Sequence, residues 1–260
     1  MVLPGTVATI WCQYLMEEVD TYPVKTPTRN RVLRLAREPR RLPAAVMRRI
    51  VPRSKRFGFP WVHLPDGSVT FRVDGFVAAS SPPMLLARHN FEVARIRREL
   101  HEVHAARSLE IGCGFGRLSP TLVEHSDEHT AIDINAEAIA TARQTYPGIN
   151  FQVGSADALA LQDQSVGLIV TWTVLQHIRP ERIERACAEI LRVLAPKGVL
   201  LVCEETCLPD ESIGHTWHRR VSEYEELLAP LTLAHHGPID EIQLLPGMTS
   251  PGEVMLFYAI

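Results

Sequence analysis

No apolar run in this 260-residue sequence approaches the roughly 18 to 20 residues needed to cross a bilayer. The first residues also lack the basic-then-apolar layout of a secretion leader, so the expected location is cytoplasmic. Cysteine is scarce and odd in number: Cys12, Cys113, Cys187, Cys203 and Cys207 follow no framework spacing, which fits reduced thiols rather than disulfides. Cys203 and Cys207 beside His215 and His218 match no common zinc spacing, and Cys203 falls in a strand pattern, so no metal is expected. Acids are almost missing between Lys25 and Arg56. That stretch holds 12 of the 27 basic residues and, in Glu38, one of the 30 acids, a formal charge of +11 against −14 for the rest. Such asymmetry points to an anionic partner such as RNA, a membrane surface or a phosphorylated substrate, or equally to an arm packed on an acidic body. Aromatic residues suited to stacking on bases are absent from it until Phe57, Phe59 and Trp61, which argues against single-strand recognition.

Residues Leu109 to Leu118 read LEIGCGFGRL, with an apolar strand run ending at Glu110-Ile111 and glycines at 112, 114 and 116. A buried strand that turns through small residues into a helix brings backbone N–H groups against a ligand. A dinucleotide fingerprint needs glycine where Arg117 stands, so the spacing argues against a nicotinamide or flavin enzyme. The run instead resembles motif I of the class I S-adenosylmethionine-dependent methyltransferases, E/D-x-G-x-G-x-G, with Glu110 as its acid. That resemblance implies a cofactor site built on Glu110, Gly112, Cys113 and Gly114.

Downstream segments extend the resemblance over about 100 residues, from Ser108 to Glu204. His129 to Asn135 reads as a second strand, and Asp133 at its tip could accept hydrogen bonds from both ribose hydroxyls, with Ile134 beside it. Asp133 or Asn135 would equally serve as N-cap of the helix that follows. Ile149 to Gly154 is a third strand, and Ser155-Ala156-Asp157 stands where the family commonly has an acid at the first position. The resemblance implies adenine recognition through the Ala156 N–H, with Ser155 or Asp157 as acceptor; Asp157 as an ordinary loop acid is the alternative. Val166 to Val170 is continuously apolar, as a buried parallel strand should be, and leads into Thr171-Trp172 and His177-Ile178. This resembles the family's segment behind the transferable methyl. It implies Trp172 as a cofactor contact and His177 as catalytic base, or else as part of the pocket wall. Helix 180–194 carries Ile183, Ala186, Ile190, Leu191 and Leu194 on one face, Ala195 to Gly198 breaks it, and Val199 to Cys203 is the fifth strand.

The expected fold is α/β: a Rossmann-like, seven-stranded, mostly parallel sheet with helices on both faces, plus an N-terminal arm and lid region. Residues 1–105 would form the basic arm, a hairpin around Asp66-Gly67 and a cofactor-covering helix from about Met84 to His104. Arg88 or His89 of that helix could meet the cofactor carboxylate. Residues 106–260 would form the methyltransferase domain, with a substrate-site insert near 205–230 that makes His215, His218 and Arg219 acceptor-site candidates. Leu231 to Pro238 and Glu253 to Ala259 supply a final antiparallel pair. The expected activity is methyl transfer from S-adenosylmethionine to oxygen or nitrogen of a small-molecule or anionic acceptor. RNA methylation with docking through residues 25–56, or a noncatalytic partner subunit, are the alternatives; an anionic membrane surface and a homodimer are further partner expectations.

Overall fold

The computed structural model describes residues 61–63, 69–71, 78–79, 82–206, 216–239 and 252–260. The basic segment 25–56, His215 and Asp66-Gly67 lie outside them. Strands β1 (Trp61–His63), β2 (Val69–Phe71) and β3 (Ala78–Ala79) form a small antiparallel sheet in that order. Its register, Trp61 opposite Phe71 and His63 opposite Val69, is that of the expected hairpin.

Helix α1 (Pro82–Glu99) opens on two prolines, which suit a first turn because its N–H groups have no helical partners. It ends five residues before His104, the expected terminus, and the chain turns through residues 100–104, with the Val103 N–H on the Leu100 carbonyl, into β4 (Ala105–Ile111). The main sheet then alternates with helices: α2 (Ser119–Leu122), β5 (Ser126–Asp133), α3 (Ala136–Thr145), β6 (Asn150–Val153), β7 (Val166–Trp172), α4 (Pro180–Val193) and β8 (Leu194–Glu205). Helix α5 (Val221–Leu227), β9 (Thr232–Pro238) and β10 (Gly252–Tyr258) complete it.

The seven strands lie in the order β6-β5-β4-β7-β8-β10-β9. Only β10 breaks the parallel run, pairing antiparallel with both β8 and β9. This is the expected Rossmann-like fold. Connections from β4 lead first towards β5 and β6, then back across to β7, so the loops after β4 and β7 diverge and open a crevice at the strands' C-terminal edge.

Burial follows the period of two along β7. Leu168, Val170 and Trp172 pack with Val93 and Ile96 of α1 and with Leu100 just after it, whereas Ile169 packs on the other face with Ile183, Ala186 and Ile190 of α4. The stripe on α4 is completed by Cys187 and Val193, with Leu191 only partly buried. β8 starts five residues earlier than the apolar pattern indicated. Val166 pairs with Leu194 and Leu168 with Val199, so residues 195–198 bulge out of register at Lys197, whose φ is 60°.

Ile190 sits at the centre of the α4 face and is fully buried. Replacing it with alanine should cost about 2 to 5 kcal/mol in denaturant unfolding. A loss under about 1 kcal/mol would show that α4 is not part of the cooperative core.

Candidate functional site

The turn after β4 carries Gly112, Gly114 and Gly116 at φ of 74°, 54° and 83°. At Gly112 the need is double, because a Cβ there would also lie 2.3 Å from Val174 Cγ2 in the turn after β7. The Gly112 and Cys113 N–H groups both donate to the Ile132 carbonyl, at 2.7 and 3.0 Å. Cys113 is buried, and burial followed by the nearby Glu110 pushes its thiol far up, which leaves it unreactive.

Asp133 is half-buried at the tip of β5. One oxygen receives the Gly114 N–H at 2.8 Å and the other the Asn135 N–H at 2.8 Å. Asn135 itself caps α3 by accepting from the Glu137 and Ala138 N–H groups, which releases Asp133 from the capping role. The next side chain, Ile134, is 75% exposed, and Val153 at the end of β6 is 55% exposed. Two large apolar groups beside a fixed carboxylate form an open apolar wall.

Glu110 lies behind the turn. Its buried carboxylate accepts from the Ser119 hydroxyl of α2 and stands 3.6 Å from His129 Nε2, while His129 Nδ1 is 2.7 Å from the Ser108 hydroxyl. Glu110 therefore braces the turn from beneath. Asp157 is tied to the Ser155 hydroxyl and to Arg182 of α4, and these bonds hold its carboxyl below the usual range. With Asp157 so engaged, it orders the 155–157 loop from inside.

The other half of the site is the turn after β7. Thr173 takes a φ of 56°, a strained value for a β-branched residue, and its N–H donates to the Cys203 carbonyl at 2.7 Å. Glu204, fully buried at the end of β8, receives the N–H groups of Val174, Leu175 and Gln176 at 3.0 to 3.1 Å and the Thr171 hydroxyl at 3.3 Å. Burial outweighs these donors and pushes its carboxyl up to about 7. Gln176 accepts the Glu205 N–H on its side-chain oxygen at 2.6 Å and the Trp217 N–H on its carbonyl at 2.7 Å. His177 ends this turn, half-buried, with Nε2 3.5 Å from the Gln176 amide nitrogen. Trp172 is buried, and its indole N–H meets no acceptor among the described residues.

The Arg219 guanidinium is buried and donates to the carbonyls of Leu175, Ile178 and Trp217 at 2.9 to 3.2 Å, which clamps the turn. His218 lies buried with Nε2 3.1 Å from Glu205 Oε2. Glu204 and Gln176 were missed in the sequence because nothing local distinguishes them. The one available signal was an acid ending the apolar run Val199 to Cys203. A groove lined by Glu102, His104, Arg107, Asp127 and Lys197 lies at the opposite edge of the sheet, and its charges pair with one another as His104–Asp127 and Arg107–Glu128.

The crevice at the order reversal, with a glycine turn on one side and a braced turn on the other, defines a class I methyltransferase fold. Residues 109–198 match the family described as "Methyltransferase domain", and this segment is such a domain. An uncharacterised methyltransferase-like protein of Schizosaccharomyces pombe is 34% identical over 93 residues, 35% of each chain. A ubiquinone biosynthesis O-methyltransferase of Xanthomonas oryzae pv. oryzae is 29% identical over 55% of this chain and 65% of that protein. The fold is similar to that of the N-methyltransferase NodS from Bradyrhizobium japonicum solved with S-adenosylhomocysteine, with a TM-score of 0.56 and 21% identity over 68% of this chain and 88% of that one. The chain spans between about a third and a half of the length of the first curated relatives it matches. No helix among the described residues is long and apolar enough to cross a membrane.

Because the folded Glu204 carboxyl, at about 7, lies above its ordinary 4.5, folding favours the acid form. The stabilisation is complete below pH 4.5 and is lost as pH rises through about 7. Its size is roughly 3 kcal/mol at most. Wild-type stability measured against that of Glu204→Gln should therefore fall between pH 4.5 and about 7, by melting at a series of pH values. A gap between the two proteins that stays constant with pH would contradict this.

Proposed function

We propose that this chain transfers a methyl group from S-adenosylmethionine to an oxygen or nitrogen of a small-molecule or anionic acceptor. The observation that carries the reading is the Asp133 carboxylate, fixed by the Gly114 and Asn135 N–H groups and free of the capping duty. An ionised carboxylate has about four lone-pair sites, so two remain for a pair of ribose hydroxyls. Ile134 and Val153 supply an apolar surface for the adenine ring, with Ala156 and Ser155 at its edge. Glycine at 112 and 114 lets the chain approach the ligand without side chains in the way. Among the described residues the buried Trp172 indole N–H has no acceptor, which leaves it a donor for a ligand. The residues thus fit the cofactor.

When bound, the sulfonium supplies an electrophilic methyl, which leaves alignment of the acceptor and removal of one proton to the protein. Glu204, Gln176 and Arg219 fix the turn that carries His177. His177 takes the acceptor's proton on an imidazole nitrogen, and His218, held by Glu205, borders the acceptor. Oxygen and nitrogen acceptors are supported by the O-methyltransferase and N-methyltransferase named among the similar proteins.

Calorimetry with S-adenosylhomocysteine should give micromolar binding to the wild type and a loss of at least about tenfold in Asp133→Ala. Unchanged binding in the variant would remove the ribose assignment. His177→Ala should keep that affinity while slowing transfer to hydroxyl and amine acceptors by about 100-fold. Equal rates in both proteins would leave His177 as pocket wall.

A second reading rests on the +11 charge of residues 25–56, which suits docking on RNA. It expects strongly salt-dependent RNA binding that disappears when Arg40, Arg41, Arg48 and Arg49 are replaced by glutamate. Turnover insensitive to salt would count against it.

A further inference from the structure

Residues 217–219 lie against the turn after β7. The Trp217 N–H donates to the Gln176 carbonyl at 2.7 Å, and the Arg219 guanidinium donates to the Leu175 and Ile178 carbonyls, each at 2.9 Å. His177 therefore stands between two residues held by this contact. Two further arginines adjoin it, Arg179 directly after Ile178 and Arg220 directly after Arg219.

The charges at this end of the crevice do not cancel. Arg219 is buried, yet its acceptors are neutral carbonyls, and among the described residues it makes no ion pair. Arg179 and Arg220 are exposed, and among the described residues neither side chain enters an ion pair. The neighbouring acids are engaged elsewhere: Glu205 with His218, Asp157 with Arg182, and Glu204 with the backbone of the turn. Glu223 turns its carboxylate to the Arg220 N–H, at 2.8 Å. Glu181, in the first turn of α4, is only two residues from Arg179, a spacing at which helical side chains do not face each other. Three guanidiniums thus gather beside His177 in a chain that carries a formal charge of −14 outside residues 25–56. A buried cation among carbonyls keeps its field, because little solvent screens it. Exposed guanidinium forks match the paired oxygens of a carboxylate or phosphate.

We propose that Arg179 and Arg220 are specificity-determining residues that bind an oxyanion, a carboxylate or phosphate, carried by the methyl acceptor, with Arg219 adding its field from beneath. The inference rests on the methyl-transfer reading above and narrows it: the acceptor bears a negative group besides the hydroxyl or amine that receives the methyl. Anchoring that group at the rim orients the acceptor and leaves its nucleophile for His177.

The test is calorimetry on the chain saturated with S-adenosylhomocysteine, titrated at low ionic strength with benzoate, phenyl phosphate and uncharged benzyl alcohol. At least one anion should bind in the millimolar range, about tenfold or more tighter than benzyl alcohol, and should weaken as salt is added. Which of the two binds separates carboxylate from phosphate recognition. Arg179→Gln with Arg220→Gln should cost that anion at least about tenfold while S-adenosylhomocysteine stays within about twofold of wild type, which also shows that the variant is folded. Arg97→Gln with Arg98→Gln removes the same charge from exposed positions of α1 and should leave the anion's affinity within about twofold. Anions that bind no better than benzyl alcohol, no loss in the 179/220 variant, or an equal loss in the 97/98 variant would each overturn the assignment. Wild type that fails to bind S-adenosylhomocysteine is a separate result, which removes the methyl-transfer reading and this inference with it.

Discussion

The carboxylate of Glu204 sits with no access to water at the end of β8 and receives three consecutive backbone N–H groups from the turn after β7. The sheet by itself fixes only where β7 ends; beyond Trp172 the chain needs a reason to fold back across the crevice. Burying an acid is costly, and burial prevails over the donors in setting its protonation. The same donors would be orphaned without it, at a cost of about 1 to 3 kcal/mol for each buried group left unmet. The turn and the acid are thus satisfactory only together. Thr173 in its left-handed conformation and the Arg219 clamp on the Leu175 and Ile178 carbonyls are further parts of that arrangement.

Across the crevice the logic is reversed, with backbone held to backbone and a carboxylate left at the surface. The glycine turn hangs on the Ile132 carbonyl and on Asp133, and Val174 fills the space a side chain at Gly112 would need. The two turns therefore touch, and each limits the conformations of the other. Beneath them Glu110 meets Ser119, while Glu92 on α1 ties down Arg117. Buried charge is used here for placement rather than for stability, since replacing such pairs with apolar groups is often neutral or favourable.

What could be read from the chain itself was whatever is local. Strand runs such as Val166 to Val170, the α4 stripe and the glycine spacing are periodic or contiguous, and the structure has them within a few residues. The Rossmann-like, seven-stranded, mostly parallel sheet followed from the family resemblance that the motifs carry. Partnerships between distant residues were not readable. Glu204 with residues 174–176, Arg219 with Leu175, and Glu92 with Arg117 are each separated by more than 20 residues, and no spacing rule covers them. Arg219 stood out only as a polar residue in an insert expected to line the pocket, and its bonds to the Leu175, Ile178 and Trp217 carbonyls could not be read there. Asp133 and Asn135 could not be told apart as caps until the geometry of the α3 terminus was known.

The central claim is that the nucleoside lies across the glycine turn with its ribose on Asp133. A crystal structure of the chain with S-adenosylhomocysteine tests it most directly. The account predicts both ribose hydroxyls within hydrogen-bonding distance of the Asp133 carboxylate and the adenine ring against Ile134. A ligand seated elsewhere, for instance in the groove between Glu102 and Lys197 at the opposite edge of the sheet, would contradict it.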